Sequence, residues 1–154
     1  MVKEIKGSFD GSGLSVGIVV AEFNDFITEK LKTGAIDTLE KCGVDVGQIT
    51  VCRVPGSFEI PAAARRIRDE GNFDGIICLG AVIRGETAHF DYVSSEVTRG
   101  VGQLSFESDI PVVYGIITAD TIEQAVDRAG VKAGNKGAEA AKSLVQMTSI
   151  YSSI

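Results

Sequence analysis

Four runs of β-branched and other apolar residues, each followed by a stretch of helical period, leave this chain few folds to adopt. The runs are "LSVGIVVAE" (Leu14 to Glu22), "ITVCRV" (Ile49 to Val54), "DGIICLG" (Asp74 to Gly80) and "PVVYGII" (Pro111 to Ile117). Near-continuous apolar runs of this length suit strands covered on both faces. After the first, Ile27, Leu31, Ala35, Leu39 and Cys42 form the stripe of an amphipathic helix that Gly43 can end. After the second, Ile60, Ala63, Ala64 and Ile67 turn inward, with Pro61 suited to a first helical turn. Phe90, Val93, Val97, Val101 and Leu104 mark the third helix. Asp120 and Glu123 have capping-box spacing ahead of Ile122, Ala125, Val126 and Ala129, and a final helix carries Ala141, Leu144, Val145 and Thr148. Strands alternating with helices imply right-handed crossovers, hence a four-stranded parallel sheet with helices on both faces, a three-layer α/β/α sandwich.

A chain of 154 residues suits one domain around one core. That domain is expected over residues 14–154, leaving 1–13 as a tail or an extra edge strand. A net charge of −6 argues against nucleic acid, whose backbone is bound by clustered Lys and Arg; the densest basic patch, "ARRIR" at Ala64 to Arg68, reads as a solvated helix face. No apolar run approaches the roughly 20 residues that span a bilayer, and "MVKEIKGSFDGSG" lacks the apolar centre of a signal peptide, so a cytoplasmic protein without a membrane partner is expected. Cys42, Cys52 and Cys78 are odd in number and lack zinc-site spacing; they read as reduced, buried thiols, and no metal is expected.

In parallel sheets of this kind ligands sit beyond the carboxyl ends of the strands. The segments to search are therefore "EFND" (Glu22 to Asp25), "PGSFEIP" (Pro55 to Pro61), "GAVIRGETAH" (Gly80 to His89) and "TAD" (Thr118 to Asp120). Gly80 and Gly85 have the separation of the glycines in G-x-x-x-x-G-K-[ST], with Thr87 in the Ser/Thr place, but Glu86 stands where the lysine belongs. A carboxylate there repels a triphosphate. The amides of Gly85, Glu86 and Thr87 at a helix start could instead hold a small phosphate, or Thr87 could simply cap the helix.

His89 is the only histidine, the one side chain whose ordinary pKa of about 6.5 suits proton transfer at neutral pH. Glu59 could accept hydrogen bonds from ligand hydroxyls or compensate a helix start. Phe23 offers a ring to stack on a flat heterocycle or to join the core. Arg128 and Lys136, the latter mobile between glycines in "AGNKG" (Ala133 to Gly137), are surface charges or parts of an anion site.

Through "GIVVAEFN", "RVPGSFEIP", "GAVIRGETAHFDYV", "GIITADTIEQA" and "GNKG", in that order over nearly its whole length, the chain closely resembles the 6,7-dimethyl-8-ribityllumazine synthase family of riboflavin biosynthesis. The resemblance implies a flavodoxin-like domain that condenses 5-amino-6-ribitylaminouracil with 3,4-dihydroxy-2-butanone 4-phosphate, with no redox cofactor and no metal. It implies that Phe23 stacks on the pyrimidinedione, and that Asn24, Ser57 and Glu59 hold the ribityl chain and ring edge. Gly56, Phe58 and Ala81 would also be substrate-binding, and Val82 and Ile83 would line the ring pocket through their backbone. Gly85, Glu86 and Thr87 would bind the phosphate with Arg128, His89 would transfer the proton, and Lys136 would stand near the heterocycle. Tyr114, Arg128 and Lys136 would reach the pocket of an adjacent subunit. Family members form pentamers, and many pack twelve of these into a hollow icosahedral shell, which could enclose riboflavin synthase. The short "KAGNKG" connection resembles the shell-forming members. Two positions depart from the family pattern: Tyr114 stands where phenylalanine is usual, so its hydroxyl needs a polar partner or water, and Phe58 stands where tryptophan is frequent.

Rival readings belong to other classes. A flavin- or lumazine-binding module would use the same ring pocket without chemistry, a shell protein would have no synthase activity, and a diverged archaeal-type riboflavin synthase would carry out a related reaction. A phospho-receiver would need an Asp ending the third strand, where Gly80 is expected.

Overall fold

The computed structural model describes residues 1–130 and 134–154; Lys132 and Ala133 of "KAGNKG" lie outside the described residues. The sheet holds β1 (Val16–Ala21), β2 (Ile49–Val54), β3 (Gly75–Ile83) and β4 (Val112–Ala119), all parallel, in the order β2-β1-β3-β4. The helices are α1 (Asp25–Lys41), α2 (Ile60–Glu70), α3 (His89–Glu107), α4 (Ile122–Arg128) and α5 (Lys136–Ser153). This is the three-layer sandwich that the alternation of periods predicts.

Strand periodicity sorts the core into two layers. Val16, Ile18 and Val20 face one way and pack with Ile77, Leu79, α1 and α5, while Val19 and Ala21 face the other and pack with Ile76, Cys78, α2 and α3. Glycines set how closely the layers approach. A Cβ on Gly75 would meet Leu144 of α5, and one on Gly137 would run into the backbone of Leu31 in α1. Burial pushes the Cys78 thiol up to about 12, whereas Cys42 and Cys52 are only half-buried, so the expectation of buried thiols holds for one of three.

Several boundaries differ from expectation. β3 continues past Gly80 to Ile83, because Gly80 to Ile83 pair with Ile116 to Ala119 of β4. β4 likewise takes in Thr118 and Ala119. The α4 cap falls at Thr121, whose hydroxyl accepts from the Gln124 amide (3.1 Å), while the Gln124 side chain accepts from the Asp120 amide (2.9 Å). The Asp120 carboxylate is engaged by Arg84, and Ile122 is 56% exposed rather than turned inward. Before Val16 no strand is found among the described residues; Ser8 hydrogen-bonds to Ser149 of α5 and Gly11 to the Cys42 carbonyl.

On the outer side of α1, Glu29 is hydrogen-bonded by Arg53 of β2 and then by Lys32, and together they hold its carboxyl down to about 2. A lowered carboxyl stabilises the fold above its unfolded pKa, and that stability fades as pH falls from about 4.5 through 2. The side chain is 42% exposed, so solvent screening limits the effect to below about 1 kcal/mol. Glu29→Gln should lower the urea midpoint at pH 7 by a gap that narrows at pH 4 and again at pH 3. An equal gap at all three would show that the ion pairs are not its source.

Candidate active site

The site follows from unequal strand lengths. β1 pairs with β3 only as far as Val20 and Leu79, so Ala81, Val82 and Ile83 run on beyond β1 with β4 at their other side. The chain leaving β1 fills the space above. Phe23 donates its amide to the Pro55 carbonyl (3.0 Å), which brings the β1–α1 loop against the β2–α2 loop. Asn24 then turns the chain into α1 in the left-handed conformation (φ 63, ψ 44), which asparagine tolerates better than most residues. Its side-chain amide donates to the Ala81 carbonyl (2.9 Å), so one of its two amide hydrogens is committed to tying the loop to β3.

Between these loops and the start of α3 lies a cleft of about 610 Å³. It brings together ten of the sequence-predicted site residues: Phe23, Asn24, Gly56, Ser57, Phe58, Glu59, Ala81, Val82, Ile83 and His89. Phe23 is 71% exposed and shows the cleft its ring, so it is not a core residue. Ser57 is buried because β3 has a glycine beneath it: a Cβ on Gly80 would stand 2.6 Å from the Ser57 hydroxyl oxygen. Gly80 therefore serves close packing inside a strand, not a phosphate loop. Glu59 occupies the residue before α2 without making a side-chain cap hydrogen bond, which leaves its exposed carboxylate available to the cleft.

The turn from β3 to α3 is shorter than the sequence suggests, running from Arg84 to Ala88. Gly85, Glu86 and Thr87 are exposed there, beside the cleft but outside its lining. Among the described residues none accepts from their three backbone amides, and a Cβ on Gly85 would meet nothing within 4 Å. The cap position of α3 falls at Ala88, with no side-chain cap bond, and the Thr87 hydroxyl only accepts a long bond from the His89 amide (3.3 Å). Amides at the start of a 19-residue helix suit an anion.

Tyr114, Arg128 and Lys136 lie away from this cleft. Tyr114 sits on edge strand β4, half-buried, with its hydroxyl 3.0 Å from the Thr98 hydroxyl of α3, the polar partner its extra oxygen needs. Arg128 ends α4, exposed, and donates to the Thr118 carbonyl (2.9 Å). Lys136 is not a mobile loop residue but the first residue of α5. Asn135 caps that helix by accepting from the Ala138 amide (3.0 Å), and its side-chain amide donates to the Lys30 and Ala129 carbonyls.

Residues 13–152 match the family model of 6,7-dimethyl-8-ribityllumazine synthase. The chain belongs to that family. It is accordingly an enzyme, a transferase of the lumazine synthase type acting on small molecules in riboflavin biosynthesis. In this lumazine synthase family member no helix of the described residues is long and apolar enough to cross a membrane, and no group of three or more His, Cys, Asp or Glu among them could hold a metal ion.

Sequence reasoning missed several residues of the site. Pro55, Phe90, Tyr92 and Val93 also line the cleft. Phe90 and Val93 belong to the apolar stripe of α3, and periodicity alone assigns such residues wholly to the core. "PGSF" placed Pro55 in the right loop, but a proline there reads first as a turn residue.

Proposed function

We propose that this enzyme condenses 5-amino-6-ribitylamino-2,4(1H,3H)-pyrimidinedione with 3,4-dihydroxy-2-butanone 4-phosphate to give 6,7-dimethyl-8-ribityllumazine, phosphate and water. The carrying observation is that one cleft holds an exposed aromatic face at Phe23, a carboxylate at Glu59 and the chain's only imidazole at His89, beside a turn of exposed amides. The pyrimidinedione stacks on Phe23, with Asn24, Ser57 and Glu59 on its ribityl chain and ring edge. Gly56, Phe58 and Ala81 contact it, and the backbone of Val82 and Ile83 lines the ring. The phosphate takes the amides of Gly85, Glu86 and Thr87.

The pyrimidine amine adds to the ketone and water leaves, giving an imine. Loss of a carbon-bound proton then expels phosphate, and in this reading His89 moves that proton. The enol left by phosphate loss tautomerises, its terminal carbon becoming a methyl group and its hydroxyl-bearing carbon a new carbonyl; the ribitylamino nitrogen closes the ring on that carbonyl, and a second water departs. Each step rearranges protons and leaving groups without net oxidation, and no cofactor is invoked.

Tyr114, Arg128 and Lys136 complete the site from an adjacent subunit in this reading. The oligomer is a pentamer or a shell of twelve pentamers, able to enclose riboflavin synthase, and it works in the cytoplasm. Residues 14–154 form the single catalytic domain.

Mixing the two substrates with the protein and following lumazine fluorescence tests the reaction. Purified protein that carries visible absorbance and forms no lumazine would be a flavin or lumazine carrier instead, and colourless inactive protein would favour a structural shell. Arg128→Ala should raise the KM for the butanone phosphate roughly tenfold or more, since a charged hydrogen bond to phosphate is lost. An unchanged KM would remove Arg128 from the site.

A further inference from the structure

Arg84 is the first residue after β3, and no role in the site has so far fallen to it. Its backbone amide donates to the Ala119 carbonyl (2.9 Å), which extends the β3–β4 ladder by one bond. Its guanidinium reaches two other elements. Nε donates to Asp120 Oδ1 (2.8 Å) at the β4–α4 corner, and Nη1 lies 3.4 Å from Asp91 Oδ1 in the first turn of α3. The same guanidinium lies over the Phe90 ring, 4.4 Å from its centroid. One side chain thus joins the end of β3, the first turn of α3 and the corner after β4.

His89 is the residue immediately before Phe90 and Asp91. α3 begins with Ala88 in the cap position and no side-chain cap bond from it, and Thr87 supplies only the long bond to the His89 amide. Phe90 and Val93 pack this end of α3 against the core, and Arg84 adds the polar tie that fixes its first turn, where His89 shares the cleft lining with Val82 and Ile83. On its other side Arg84 grips Asp120, two residues beyond Thr118, whose carbonyl receives Arg128. Two carboxylates already answer the Arg84 charge, so its planar fork serves geometry rather than anion binding.

We propose that Arg84 is a positioning residue for the condensation: it clamps the first turn of α3 to the β4–α4 corner, and so holds the His89 imidazole in the cleft in register with the Gly85 to Thr87 amides beside it. The inference rests on the proposed function. It acts through Phe90 and Asp91 and does not touch substrate. The pyrimidine contacts belong to the β1–α1 and β2–α2 loops and to the strand segment before Arg84, so the clamp should govern turnover and leave pyrimidine binding alone.

The test is steady-state kinetics of the full-length protein with both substrates. Arg84→Ala should lower kcat by up to about 10²-fold, the scale set by a displacement of about 1 Å in a catalytic group, with the pyrimidine KM changed by less than about twofold. Arg84→Lys keeps the charge but not the fork and should fall between wild type and Arg84→Ala. Asp120→Asn, which weakens the clamp from the other side, should lower kcat in the same direction. These two carry the comparison if Arg84→Ala fails to fold. Combined with His89→Ala at saturating butanone phosphate, any of the three should cost little in kcat beyond His89→Ala alone, because the part of each change that acts through the imidazole is already lost. Fully multiplicative losses, a kcat at the wild-type level, or a rise in pyrimidine KM matching the fall in kcat would each overturn the inference. A wild type that forms no lumazine would remove the function itself, a result distinct from these.

Discussion

His89→Ala is expected to slow turnover by about 10²–10⁴-fold while leaving a folded protein with measurable activity. The upper bound comes from general acid–base catalysis, the contribution proposed for His89. The residual activity comes from holding two reactants side by side, which can supply about 7–11 kcal/mol and does not need the histidine. Phe23, Ser57, Glu59 and the turn at Gly85 survive the substitution, so orientation survives with them. Steady-state rates at saturating substrate, with circular dichroism to confirm folding, make the measurement. Complete loss of activity in a folded variant would mean that proton transfer, not orientation, dominates; an unchanged rate would mean that His89 moves no proton.

Gly137→Ala should have the largest effect on stability, about 3 kcal/mol, seen as a lower urea midpoint with an unchanged slope. The new methyl group would be driven against the Leu31 carbonyl, and neither partner is a side chain that can rotate away. α1 and α5 would have to separate, and between them lie Ile27, Leu31, Ala35, Ala141, Leu144 and Val145, all fully buried. Alanine is otherwise the better helix former by about 1 kcal/mol, so the expected loss runs against intrinsic preference. A midpoint equal to wild type would show that the two backbones do not approach so closely.

The contrast between these two residues shows what a sequence discloses. Strands and helices were legible because burial on both faces of a sheet demands β-branched runs, and burial on one face of a helix demands a stripe; Val16 to Ala21 and Leu31 to Leu39 carry those patterns openly. His89 was legible because the chain has no other histidine. Gly80 reads as punctuation at a strand end, since a glycine that makes room for Ser57 looks the same in sequence as one that ends a strand. Lys136 reads as mobile when its flanking glycines are weighed above Asn135, although an asparagine three residues before the amide it caps is a helix-start signal. Tyr114 and Arg84 illustrate a different limit. Their partners, Thr98 for the one and Asp91 and Asp120 for the other, stand at distances along the chain that no local period encodes.

The sheet order has a consequence for how the protein comes into being. β1 and β2 form one crossover unit and β3 and β4 another, whereas the pairing of β1 with β3 joins segments farther apart in the chain. Longer closures lose more chain entropy, so that central seam should form after the two halves. Phe23 and Ser57 come from the first half, and Ile83 and His89 from the second. A nascent chain released from the ribosome would therefore possess every one of these groups, yet no place for a ligand, until the two halves dock.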